Sequence, residues 1–331
     1  MPGSATLVFS EPEDFEAALR AEGFLGLWTT GRGQFRARLT RVALSRLRLS
    51  TVEEHLCRIA FLAVPADMVM MSFPIGTGTG PTYGGIGMRA GEIATLGSGQ
   101  QAHTRTDGPC RWGAIWLPVK ELVQFGGALT GAEFAVPPFI QCWRPPQAAG
   151  KNLLQLHATA TRMAEIHPQA LVDAEAAHGL EQQLIHAVVE CLSAGSGSEI
   201  TGAARRHQDM MVGFERLLQT QPDRNVRINE ICAALDVSDR LLRSVCAAHL
   251  GMSPTGYDRL RRMSLVRRIL GRGDRDAASI SEVARRHGFS DPGRFAVDYR
   301  ALFGELPSAT LRRGSSREIA DFSVHRTYER K

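Results

Sequence analysis

Two short stretches carry the side chains with the most evident chemistry: "SDRLLRSVCAAHL" (238–250) and "SDPGRFAVDYRALF" (290–303). The first presents Ser238, Arg240, Arg243 and Ser244; the second presents Ser290, Gly293, Arg294 and Arg300. A guanidinium is a rigid fork of donors that grips guanine O6 and N7, or a phosphate, through two parallel hydrogen bonds. A glycine lets a backbone approach its ligand closely. Nucleophilic or metal chemistry has no comparable support. His55, His103 and Cys110 do not show the clustered histidine spacing of a metal site, and "AHTRTDGPC" reads as a loop. "GTGTGPTYGG" does not satisfy G-x-G-x-x-G, so no dinucleotide cofactor is expected. No Ser-His-Asp or Cys-His arrangement stands out. Trp28, Trp112 and Trp116 are candidate walls of a small-molecule effector pocket, with core packing as the alternative.

Such arginines need helices to aim them, and an internal repeat supplies two. At an offset of 52, Ile228, Glu230, Ser238 and Asp239 meet Ile280, Glu282, Ser290 and Asp291. One extra residue then shifts the offset to 53, where Leu242, Gly251 and Pro254 meet Phe295, Gly304 and Pro307. In each copy a short helix is marked by apolar residues at i, i+3, i+4 and i+7: Ile228, Ile231, Cys232 and Leu235, then Ile280, Val283, Ala284 and His287. Ser279 and Glu282 have the spacing of a capping box. Gly288 suits the positive φ that ends a helix, and Ser238 and Ser290 suit the N-caps of the helices that follow. Pro292 falls in a first turn, where its missing N–H costs little. The second helices bury Leu242, Val245 and Cys246, or Phe295, Tyr299, Leu302 and Phe303. Helix, tight turn, helix is the arrangement whose second member can enter the major groove of DNA. "TGYDRLRRMSLVRRIL" joins the two units as a helix ~24 Å long. Its Arg259, Arg261, Arg262, Arg267 and Arg268 lie mostly off the apolar face, where phosphate contact and plain solvation both stay open.

"RINEICAALDVSDRLLRSVCAAHLGMSP" followed by "ISEVARRHGFSDPGRFAVDYRALFGELP" resembles the DNA-binding domain of the AraC/XylS family of bacterial transcription regulators. The resemblance covers about residues 205–313. It implies a sequence-specific regulator, more often an activator working with RNA polymerase, on double-stranded promoter or operator DNA. The part ahead of it resembles, more weakly, the family's ligand-sensing barrel domains. Departures fall at Asp236, where the family usually has Gly, and at Gly293 and Arg294 in place of a serine-aromatic pair. Val297 stands where the family is often basic.

The rest of the chain fits an α+β protein. A β-rich, barrel-like (cupin-like) sensor or dimerisation domain is expected over 1–149, from the alternation in "FRARLTRV" and the short apolar runs "IAFLAVP", "MVMMSFPIG" and "WGAIWLP". A helical connector follows over 150–194, then a linker (195–204), the helical domain (205–313) and a polar tail (314–331). The connector's helix around 180–192 could pair two chains into a homodimer or pack on its own barrel. Charge divides along the same line. Residues 1–200 carry 15 Lys and Arg against 18 Asp and Glu, whereas 201–313 carry 20 against 13. The basic third suits a polyanion. Because 36 of the 39 basic residues are arginine, arginine abundance alone marks no site. The six cysteines show no CxxC pair and the N-terminus lacks a basic region before an apolar stretch, so a reducing, cytoplasmic setting is expected, without membrane contact. The alternatives are a barrel-type enzyme with an appended DNA-binding domain, or a constitutive DNA-binding protein with no effector.

Overall fold

The computed structural model describes residues 3–136, 138–197, 201–272 and 279–314. The polar tail expected over 314–331 lies outside these residues except for Gly314. The strands are β1 (Gly3–Phe9), β2 (Phe24–Thr29), β3 (Ala37–Ala43), β4 (Arg48–Glu54), β5 (Arg58–Ala63), β6 (Met68–Pro74), β7 (Thr82–Tyr83), β8 (Ile86–Gly87), β9 (Ile93–Leu96), β10 (Gln101–Thr106), β11 (Cys110–Pro118), β12 (Gln141–Arg144) and β13 (Ser196–Gly197). They form two antiparallel sheets, ordered β1-β3-β4-β11-β6-β9-β12-β13 and β2-β5-β10-β7-β8. The helices of this part are α1 (Pro12–Leu19), α2 (Val119–Thr130), α3 (Gln147–Ile166) and α4 (Ala174–Ser193). The chain divides into two compact units, Met1–Thr29 with Gln34–Val212 and Thr30–Gly33 with Gly213 onward, the main boundary falling inside α5 (Gly202–Thr220).

Strand β11 shows why its sequence reads as one apolar run instead of an alternation. Trp112, Ala114 and Trp116 point into the core between the sheets, beside Phe24, Leu27 and Leu62. Ile115 and Leu117 point the other way, into a second core with Leu153, Leu184 and Val188 of α3 and α4. A sheet covered on both faces has no solvent side for polar residues to mark. Gly113 fits the same logic, because a Cβ there would stand 2.5 Å from the Phe73 ring and 2.9 Å from His157.

Of the two readings open for the three tryptophans, pocket wall or core, their burial fits the core. Trp112 and Trp116 are fully enclosed and Trp28 nearly so. Trp112 donates its Nε1 proton to Glu54 at 3.0 Å, and the same carboxylate accepts from Arg58 Nε at 2.9 Å. By area bookkeeping, burying such an indole is worth roughly 4–6 kcal/mol at most. Helix α4 packs on its own unit, one of the two readings its sequence left open. Leu180, Leu184, Ile185, Val188 and Cys191 are buried against their own sheet and α3, so this apolar face is spent within the unit. Part of the expected linker is ordered. β13 pairs Ser196 and Gly197 with Arg144 and Trp143, and α5 starts at Gly202.

From Gly213 onward the regular elements of the described residues are helices: the end of α5, α6 (Ile228–Leu235), α7 (Asp239–Leu250), α8 (Pro254–Gly271), α9 (Ile280–Arg286), α10 (Pro292–Phe303) and a helical stretch over 307–314. α6 with α7 and α9 with α10 are the two expected helix-turn-helix units, joined by α8. No described helix is long and apolar enough to cross a membrane.

Candidate nucleic-acid interface

Each second helix begins where a side chain accepts the orphan N–H groups of its first turn. In the first unit Ser238 does this, taking the Leu241 N–H at 3.2 Å. In the second unit the cap is Asp291, which accepts from Gly293 at 2.9 Å and Arg294 at 3.0 Å. Ser290, expected to be that cap, is one residue outside. The reason is Pro292, which disfavours helical backbone in the residue before it. Asp291 is held extended at φ −104° and ψ 107°, whereas its counterpart Asp239 is already the first helical residue. The extra residue of the repeat is thus absorbed at the cap, and Ser238 is the structural equivalent of Asp291.

The turns differ in the same physical way. Gly288 takes φ 79° after α9, and Phe289 N–H returns to the Ala284 carbonyl at 3.0 Å. After α6 the left-handed position is filled by Asp236 at φ 52°, among the described residues the single non-glycine with positive φ. Val237 N–H closes that turn on Cys232 at 3.0 Å. Ser279 caps α9 through Glu282 N–H at 3.2 Å, while the Glu282 carboxylate pairs with Arg286 at 2.8 Å.

The second helices bury Leu242, Val245, Cys246 and Leu250 in α7 and Phe295 and Tyr299 in α10, while Leu302 and Phe303, also expected to be buried, are half-buried. The opposite faces are exposed. On α7 they carry Arg240 and Ser244, with Arg243 to one side, its Nε 2.7 Å from Asp239. On α10 they carry Gly293 and Val297, with Arg300 flanking on one side and Arg294, 3.9 Å from Asp298, on the other. Every sequence-derived candidate of the two stretches, including Ser238 and Ser290, is therefore solvent-facing. The two arginine–aspartate pairs are exposed and worth little in water, so either guanidinium can exchange its partner for a nucleic acid at small cost.

The arginines of the linking helix are mostly committed elsewhere. α8 holds 18 residues, about 27 Å of helix. Arg262 is buried. It reaches Asp258 with Nε at 3.0 Å and Nη2 at 2.9 Å, donates Nη1 to the His287 carbonyl at 2.9 Å and lies 5.1 Å over the Phe289 ring. A Cβ on Gly288 would sit 2.9 Å from that Nη1, a second reason for glycine there. Arg261 pairs at 3.1 Å with the enclosed carboxylate of Glu215, which also accepts the Tyr257 hydroxyl at 2.9 Å. Arg267 lies 3.8 Å from Glu305 and over the Phe303 ring, and Arg259 binds Asp298. Arg261, Arg262 and Arg267 hold the unit together, whereas the Arg259 pair is partly exposed; apart from Asp258, the partners of these three are distant in sequence. His287 is buried, as expected of a core position, with Nδ1 2.9 Å from Asp223. Burial, aided by Arg262 and Arg286, holds its imidazole below the usual range against the pull of Asp223.

Among the described residues no three His, Cys, Asp or Glu side chains are grouped to hold a metal. His55 is exposed, His103 packs on Phe61, and Cys110 is buried with its thiol pushed up to about 12 by burial and by Glu54.

Residues 231–313 match a family described as a helix-turn-helix domain. The XylDLEGF operon transcriptional activator 1 of Pseudomonas putida is 37% identical over 103 residues, covering 30% of this chain and 31% of that protein. The probable thc operon regulatory protein of Rhodococcus erythropolis is 30% identical over 133 residues, 38% of this chain and 40% of that protein. A solved structure of a probable AraC family transcriptional regulator from Rhodopseudomonas palustris is 28% identical, covers 32% of this chain and 97% of that one, and superposes with a TM-score of 0.30. The chain spans about a third of the length of the Pseudomonas activator it matches.

Proposed function

We propose that this chain, an AraC/XylS-family protein by its C-terminal domain, is a transcription regulator that binds double-stranded promoter DNA through α7 and α10. The observation that carries the reading is the pair of capped helices, each with arginine on its exposed side and its apolar side spent on packing. α8 supplies about 27 Å between the units, close to the ~34 Å that separates successive major-groove faces of one side of a duplex. Arg240 and Ser244 stand centrally on α7 for base edges. Arg243, Arg294 and Arg300 stand to the sides, suited to base or phosphate, and the caps Ser238 and Asp291 set the helix ends. Activation together with RNA polymerase is the finer part of the proposal, supported by the relative that is an activator.

The N-terminal unit is proposed to take a small-molecule effector and to support a homodimer. Since the three tryptophans are packed into core, the effector's place moves to a cavity of about 690 Å³ among α2, α3 and α4. Phe125, Leu129 and Leu156 give it an apolar wall, while Asn152, Gln182 and His186 offer hydrogen bonds. That volume lies within the range of small-molecule sites.

Electrophoretic binding of the full chain to genomic promoter fragments tests the reading. Specific fragments are expected to bind with a clear preference over bulk DNA at physiological salt; uniform binding refutes it. Arg240→Ala is expected to relax selectivity at one base position by about 1–3 kcal/mol. Equal weakening on every sequence would make Arg240 a phosphate contact.

A further inference from the structure

The two recognition helices do not present the same chemistry at their centres. With the caps aligned, Ser238 on Asp291, the sixth residue beyond each cap is Ser244 in α7 and Val297 in α10. Val297 stands two residues from both Phe295 and Tyr299, which are buried, so it points away from the core. It is 68% exposed, among the most exposed large apolar side chains described. A β-branched side chain on the water-facing side of a helix gives up propensity relative to Ala without gaining burial. Three residues before it stands Arg294 and three after it Arg300, both exposed, so a guanidinium lies on each side of the isopropyl group. One turn earlier Gly293 offers no side chain. In the first unit the corresponding positions are polar, Arg240 and Ser244.

Resting on the DNA-binding reading above, we propose that Val297 reads the C5-methyl group of a thymine, and that α10 contributes apolar readout where α7 contributes hydrogen bonds. The thymine methyl is the apolar group that the major groove displays. Arg294 and Arg300, bracketing the valine, are placed to hold backbone phosphates on the two sides of the groove, which fixes register without specifying sequence. Absence of a side chain at Gly293 lets α10 settle deeply enough for the isopropyl group to reach the methyl.

The experiment uses the full chain and a binding site selected by it from random DNA. Each thymine of the site is replaced singly by deoxyuridine, which keeps every hydrogen bond and removes only the methyl. One such replacement, in the half of the site bound by the second unit, is expected to weaken binding about fourfold, the change that ~0.8 kcal/mol for one methyl group gives. Val297→Ala binds the thymine and deoxyuridine sites alike at that position, while Ser244→Ala keeps the discrimination. If every thymine tolerates deoxyuridine, or if Val297→Ala still discriminates, Val297 does not read a methyl even though specific binding stands. If no specific site is selected, the DNA-binding reading falls as well.

Discussion

Replacing Arg262 with alanine is expected to cost the C-terminal unit about 4–6 kcal/mol. Arg262 is buried on α8, and its two contacts to Asp258, at 3.0 and 2.9 Å, neutralise a carboxylate that burial already pushes above its usual range. Removing one partner of such a buried pair costs about 3–5 kcal/mol, because the other charge is stranded. The His287 carbonyl loses its 2.9 Å donor, about 1 kcal/mol more. That total is a large part of the 5–15 kcal/mol typical of a domain. Urea unfolding followed by far-UV circular dichroism reads the loss. An internal control exists in the same sample: all four tryptophans, at 28, 112, 116 and 143, lie in the N-terminal unit. Tryptophan fluorescence should therefore keep its midpoint while the dichroism signal shifts. Arg262→Met combined with Asp258→Leu should recover most of the loss, since apolar replacement of both partners leaves no stranded charge. A cost below about 1 kcal/mol, with DNA binding weakened on all sequences and a salt slope reduced by about one, would make Arg262 a phosphate contact and refute the reasoning.

Three further outcomes follow from the same geometry. Asp291→Ala should lower stability by about 1–2 kcal/mol in urea melts and Ser290→Ala by less than about 0.5, because only the former caps α10; the reverse order would restore Ser290 as the cap. Asp236→Gly should raise stability by up to ~1 kcal/mol, since φ 52° is a position glycine fills without strain, and a clear loss would show that the aspartate side chain makes a needed contact. His157 is enclosed between β4 and α3, and burial holds its imidazole down to about 4 despite the Ser50 carbonyl. Between pH 6.5 and 4 the unfolded chain takes up a proton that the folded one refuses, so the N-terminal unit loses roughly 3 kcal/mol as pH falls through that window. Tryptophan-monitored urea melts across the window should show the decline, and His157→Gln should flatten it. An unchanged slope in His157→Gln would assign the decline to other groups.

Much of the C-terminal unit was legible because its signals are local. Apolar spacing, glycine and caps lie within ten residues of one another, and the repeat shows each twice. The cap of α10 is Asp291 and not Ser290, because Pro292 restricts the backbone of the residue before it, a signal that the sequence itself carries. The roles of Arg261, Arg262 and Arg267 were not legible. Their partners are Glu215, the His287 carbonyl and Glu305, brought close only by the fold. In the N-terminal unit the strands showed as apolar runs, but nothing in "WGAIWLP" tells which face of β11 meets the other sheet and which meets α3 and α4. Helix α2 was hidden by the glycine pair in "VQFGGALT", where Gly126 makes room for the Phe134 ring. Thr40 lies where alternation predicted a polar, outward residue, yet it is buried and donates to Glu165 of α3 at 3.0 Å. The covering helices turned an outer face into an inner one.

Methylation interference on a selected binding site tests most directly whether both units read DNA. Guanine N7 methylation blocks the major groove where an arginine fork would bind. Interference by methylated guanines is expected in the segment facing α7. In the segment facing α10, about ten base pairs away on the same side of the duplex, thymine replacement should be felt. Sensitivity confined to one segment when guanine methylation and thymine replacement are taken together, or binding with no sequence preference at physiological salt, would contradict a double reader.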